Sequence, residues 1–80
     1  MTPEQRMIKL FKWGTGNNVA ICLLRFKQVY ANKKDFRHLW EVTFKEVSND
    51  HRSSRGTSED MNEAMDLVWK DYKRKRRNEN

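Results

Sequence analysis

Cysteine is nearly absent: Cys22 stands alone, so no intrachain disulfide can form. The two histidines, His38 and His51, lie far apart, and no zinc-ligand spacing can be assembled around them. Long apolar stretches are missing too. The longest, Val19 to Leu24, has six residues, far short of a membrane span. The opening "MTPEQRMIKLFKW" carries Glu4 and no apolar core of signal-peptide length. These absences point to a reducing, cytoplasmic setting without metal, cofactor or membrane. Cys22, inside "VAICLL", is expected to be a buried small hydrophobe rather than a reactive thiol.

What the chain does have is charge and aromatic area. Eighty residues make one small domain. Such a chain buries only about 60–65% of its unfolded surface, so its core is thin. Apolar residues are 36% and charged residues 35%, a polar balance. The three Trp, two Tyr and four Phe are spread along the chain and offset it. Net charge is +6. Residues 1–56 hold eleven bases and five acids. Residues 57–69 hold four acids and no base, and residues 70–77 hold six bases and Asp71. Two basic regions thus flank an acidic segment, and the excess favours a polyanionic partner.

The chain opens with a helix signal. Thr2 is a good N-cap, Pro3 suits the first helical position, and Gln5 completes a capping box. Met7, Leu10 and Phe11 share a face, and Gly14 reads as the residue after the helix, which is predicted over 3–13. "GTGNN" (Gly14–Asn18) then reads as a turn. It resembles part of a glycine-rich phosphate loop but lacks the following Lys-Ser or Lys-Thr.

Residues 18–30 fit two patterns. Val19, Cys22, Leu23, Phe26, Val29 and Tyr30 make a helical stripe, whereas Ala20, Cys22, Leu24, Phe26 and Tyr30 make a strand face. The next segment favours the strand. Phe36, His38, Trp40, Val42 and Phe44 alternate with Arg37, Leu39, Glu41, Thr43 and Lys45, and a strand needs a partner. Residues 18–30 and 36–48 are therefore predicted as an antiparallel hairpin around "ANKKD", with Trp40 in the core and Arg25 and Lys27 on the solvent side.

"SNDHRSSRGTS" (Ser48–Ser58) is polar and reads as a loop with room for a short third edge strand. Thr57 or Ser58 is expected to cap a final helix, with Glu59 and Asp60 in its first turn. Met61, Ala64, Met65, Val68 and Tyr72 form its apolar stripe. The predicted class is α+β: an N-terminal helix, a hairpin and a C-terminal helix on the sheet. The domain spans 1–72, and 73–80 form a basic, frayed tail.

The second half, strands followed by "RGTSEDMNEAMDLVWKDYKRK", resembles the closing strand and helix of double-stranded-RNA-binding domains. Those domains have lysines at the start of that helix, where they meet phosphates. Here the stretch is "SEDMNE", which would repel phosphate, so the family's contacts do not carry over.

No catalytic set converges, and no enzyme is expected. His38 reads as a sheet histidine. The acids Glu59, Asp60, Glu63 and Asp66 suit a helix start rather than a metal site. The basic end is different. Six of the eight residues from Lys70 to Arg77 are basic, namely Lys70, Lys73, Arg74, Lys75, Arg76 and Arg77. The helix dipole favours one or two such charges, and successive like charges repel. A second basic set comprises Lys33, Lys34 and Arg37 at the hairpin tip and Arg52 and Arg55 in the following loop. Tyr30 and Phe36 are interleaved there and could stack unpaired bases. The expected function is nucleic-acid binding through phosphates, with RNA ahead of DNA. The rival is a small protein-binding modulator or inhibitor of the phage type, docking on a host enzyme.

Overall fold

In the computed structural model, residues 2–29, 36–48 and 52–77 are described. The order is helix α1 (Pro3–Asn17), strands β1 (Val19–Val29), β2 (Phe36–Glu46) and β3 (Ser53–Ser58), and helix α2 (Met61–Arg77). The strands form one antiparallel sheet in the order β1-β2-β3, so the α+β class and the hairpin hold. The segment with room for a third strand does contain one.

α1 starts as its sequence dictates. The Thr2 hydroxyl accepts from the Gln5 N–H, and the Gln5 side chain accepts from the Thr2 N–H. Its end corrects the expectation. The helix continues through Gly14 to Asn17, and Asn18 caps it in the left-handed region at φ 56°. Gly14 is needed for closeness, not for a turn. A Cβ there would stand 2.5 Å from the Val19 carbonyl oxygen and 2.9 Å from the Ile21 Cδ1 atom.

Register decides the faces. Ile21 lies opposite Phe44, Leu23 opposite Val42 and Arg25 opposite Trp40, while Val42 faces Gly56 and Phe44 faces Ser54. Both helices cover this side. Val42 and Phe44 are buried with Val19, Met7, Leu10, Ala64, Met65, Val68 and Tyr72. Phe44 stacks with Trp13, Trp69 and Tyr72 at centroid separations of 5.3–5.7 Å. Trp13 and Trp69 are closer still, at 4.6 Å.

The expected inner face of β1 is therefore the outer one. Ala20, Cys22 and Leu24 are exposed on the side no helix covers. The core takes Val19 and Ile21 instead. Apolar residues occupy both parities of β1, and the covering helices decide between them. Arg25, expected on the outer side, shares Trp40's side, with its guanidinium 4.8 Å from the Trp40 ring centroid. Trp40 itself is half-buried at the rim of the core. On α1, Phe11 is exposed, and Gly14 completes the inner stripe with Met7 and Leu10.

β3 has weak strand formers but a fixed place. Gly56 lies beneath α2, and a Cβ there would stand 2.2 Å from the Ala64 carbonyl oxygen. The cap of α2 is Asp60 rather than Thr57 or Ser58. Its Oδ1 accepts from the Asn62 N–H, its carbonyl accepts from the Ala64 N–H, and Ser58 Oγ supports the turn by accepting from the Asp60 N–H. Of the predicted stripe, Ala64, Met65, Val68 and Tyr72 are buried and Met61 is half-buried against them. α2 remains helical to Arg77.

Candidate nucleic-acid interface

The chain reversals place Arg37 and the basic turns of α2 at opposite ends of the sheet. β3 pairs only with Trp40–Lys45, so Phe26–Val29 and Phe36–Leu39 project beyond it as a two-stranded arm. α2 then runs back along β3, away from that arm. Asp71 reaches Arg55 and Lys75 reaches Ser53, at the far end. The molecule is 44 Å in its longest dimension.

At the arm end, Arg37 pairs with Glu59 at 3.1 Å. Lys33, Lys34 and Tyr30 lie outside the described residues, as do the side chains of Phe36 and Arg77. Arg52 is committed within the fold. Its Nη1 lies 3.1 Å from the Glu46 carboxylate, and both side chains are largely covered.

The α2 end is where predicted residues meet. Arg55 on β3 and Lys70 and Arg74 on α2 line one shallow depression together with Gly56, Thr57 and Asp71. Asp71 is the anchor beneath these cations. Its carboxylate accepts from the Arg55 N–H at 3.2 Å, from Arg74 at 2.5 Å and from Lys75 at 3.1 Å. Partial burial tends to raise its pKa, but these donors outweigh it and hold the carboxyl below its ordinary value. Arg55 also pairs with Glu41 at 3.3 Å.

Helical spacing distributes the other bases. Lys70, Lys73 and Arg74 share the outward row of α2, opposite the buried Ala64–Tyr72 stripe, and all three are exposed. Lys73 lies 5.8 Å from the Trp69 ring centroid. Lys75 is turned inward and donates to the Ser53 carbonyl oxygen. Arg76 donates to the Tyr72 hydroxyl at 2.8 Å, over the same ring.

The sequence reading missed two things. Asp71 secures the β3 edge, a role without a local sequence signal because its partner lies 16 residues away. Arg55, expected in the loop after the hairpin, is on β3 and joins the helix end, because β3 runs beside α2.

Among the described residues no cluster of three His, Cys, Asp or Glu could hold a metal ion. None of their helices is long and apolar enough to cross a membrane. No family model, curated protein or solved structure matches this chain.

Proposed function

We propose that this protein binds nucleic acid, in a cytoplasmic setting, by phosphate contacts centred on the C-terminal turns of α2 and the adjacent edge of β3. The supporting observation is the convergence of Arg55, Lys70 and Arg74, from two elements, on one open depression. The guanidinium groups offer paired donors to phosphate oxygens, and Lys70 and Lys73 act as point charges along the same backbone. Asp71 pairs with Arg74 and Lys75, and Glu41 with Arg55, so phosphate exchanges with these carboxylates, while Lys70 and Lys73 have no carboxylate partner among the described residues. Binding releases condensed counterions and reads little sequence, because phosphates carry none. The arm, with Lys27 and Arg37, is a second and separate contact that a long ligand reaches.

The rival reading, a modulator that docks through the acidic half of α2, has less support. Glu59 and Asp66 are already paired with Arg37 and Arg6, whereas at the basic end Lys70 and Lys73 have no carboxylate partner among the described residues.

An isotope-labelled full chain titrated with two unrelated oligonucleotides tests the proposal. Amide shifts should concentrate at Arg55–Thr57 and Leu67–Arg76 and be alike for both sequences. Shifts confined to residues 25–28 and 37–39, or no saturable binding, would contradict it.

A further inference from the structure

The two edges of the sheet are treated differently. Asn18–Val47 and Arg52–Glu46 backbone bonds set the alternation of both ladders. Ser53 and Arg55 thus point their backbone groups away from β2, and there Lys75 takes the Ser53 carbonyl and Asp71 takes the Arg55 N–H. On β1 the outward groups belong to Ile21, Leu23, Arg25 and Lys27. Those of Ile21, Leu23 and Arg25 have no such cover among the described residues. Residues 19–24 also lack the charge, proline or bulge that usually blunts a long edge.

α1 extends this edge. Met7, Leu10 and Gly14 face the sheet, and Arg6 and Trp13 face α2. Ile8 and Phe11 therefore fall on the remaining flank, above the β1 edge. They are 54% and 45% exposed, and Leu23 and Leu24 on the strand are 36% and 56% exposed. Glu4, Ile8 and Lys12 form one row at spacing four, with opposite charges equidistant from Ile8.

That row is self-complementary. A two-fold axis through Ile8 sets Glu4 of one copy against Lys12 of the other, twice, with apolar residues between. The strand places the axis in the same spot. Gly14 touches Val19 and Ile21, and Ile8 lies roughly 9 Å back along the helix, or about three strand residues, which is beside Leu23. Antiparallel pairing of β1 with a second β1 about Leu23 sets Arg25 against Ile21 and Lys27 against Val19. No like charges are opposed.

We infer that the chain forms a two-fold dimer through its β1 edge, joining two three-stranded sheets into one of six strands with the α1 helices side by side. This stands on observations separate from the nucleic-acid reading.

Sedimentation velocity of the full chain over a concentration series tests it. The wild type should reach twice the monomer mass. Glu4→Lys alone and Lys12→Glu alone should each raise the dissociation midpoint about tenfold, as two exposed pairs turn repulsive, and the double exchange should restore it. Without any variant, hydrogen exchange at the Ile21, Leu23 and Arg25 amides should slow as concentration rises. A monomer at every concentration would overturn the inference and leave the edge to a strand of another protein. A dimer indifferent to both single exchanges would overturn it as well.

Discussion

At the scale of single residues, closeness and partners govern more than type. Gly56 has no Cβ because the backbone of α2 occupies that space, with the Val68 nitrogen 2.4 Å from where the atom would stand. Backbone on both sides cannot yield as a flexible side chain can. Gly56→Ala should therefore destabilise the protein by about 3 kcal/mol, at the upper end for overpacking, measured by urea unfolding. Melting within a degree of the parent would show that α2 sits farther from β3. Phe44, 1% exposed and in contact with three rings, is the central aromatic. Phe44→Ala should cost roughly 3–5 kcal/mol. Trp40→Ala should cost clearly less, because Trp40 is only half-buried. A reversed order of the two would contradict the register given above.

Asp71 carries a pH signature. Its carboxyl is held below the ordinary value in the fold, so its contribution to stability is complete above the unfolded-state pKa. The contribution is lost as pH falls through the folded value. Asp71→Asn should remove about 1 kcal/mol at neutral pH. It should also flatten the decline in stability below about pH 4, where a free aspartate protonates. Denaturant midpoints for both proteins between pH 2 and 7 check this. An identical acid decline in the variant would mean that Asp71 is not a stabilising anchor.

At the scale of elements, the start of α1, the hairpin, the inner stripe of α2 and the overall class were legible in the sequence. Each is written locally, in the Thr2–Gln5 box, in the alternation of Phe36–Phe44 and in the spacing of Ala64, Met65, Val68 and Tyr72. What was illegible depended on neighbours distant in sequence. β1 has apolar residues on both parities, so its inner face is chosen by where α1 lies. Gly14 looks like a terminator but is the point where α1 meets β1. "SSRGTS" has little strand propensity and pairs because β2 and α2 hold it. The candidate site was half legible. Lys70, Lys73 and Arg74 stand out as a run, but only the path of β3 joins Arg55 to them. The capping box allows a direct check at this scale. Thr2→Ala should lower stability by about 1 kcal/mol, and an unchanged denaturant midpoint would show that the first turn of α1 contributes nothing.

At the scale of the whole molecule, charge is sorted along α2. The acidic start of α2 lies toward the arm, and its basic end lies beside the Ser53–Arg55 end of β3. Five carboxylates, Glu41, Glu46, Glu59, Asp66 and Asp71, are engaged by the protein's own cations. Lys70 and Lys73 have no carboxylate partner among the described residues. The central claim is that this basic end binds phosphates. Its most direct test is the salt dependence of nucleic-acid affinity for the parent and for a variant with Lys70, Lys73 and Arg74 each replaced by Gln. Glutamine keeps the helix while removing the charge and, at Arg74, the pair with Asp71. The slope of log affinity against log salt should fall by about two to three units, equally for unrelated sequences. Equal slopes for the folded variant and the parent would contradict the claim.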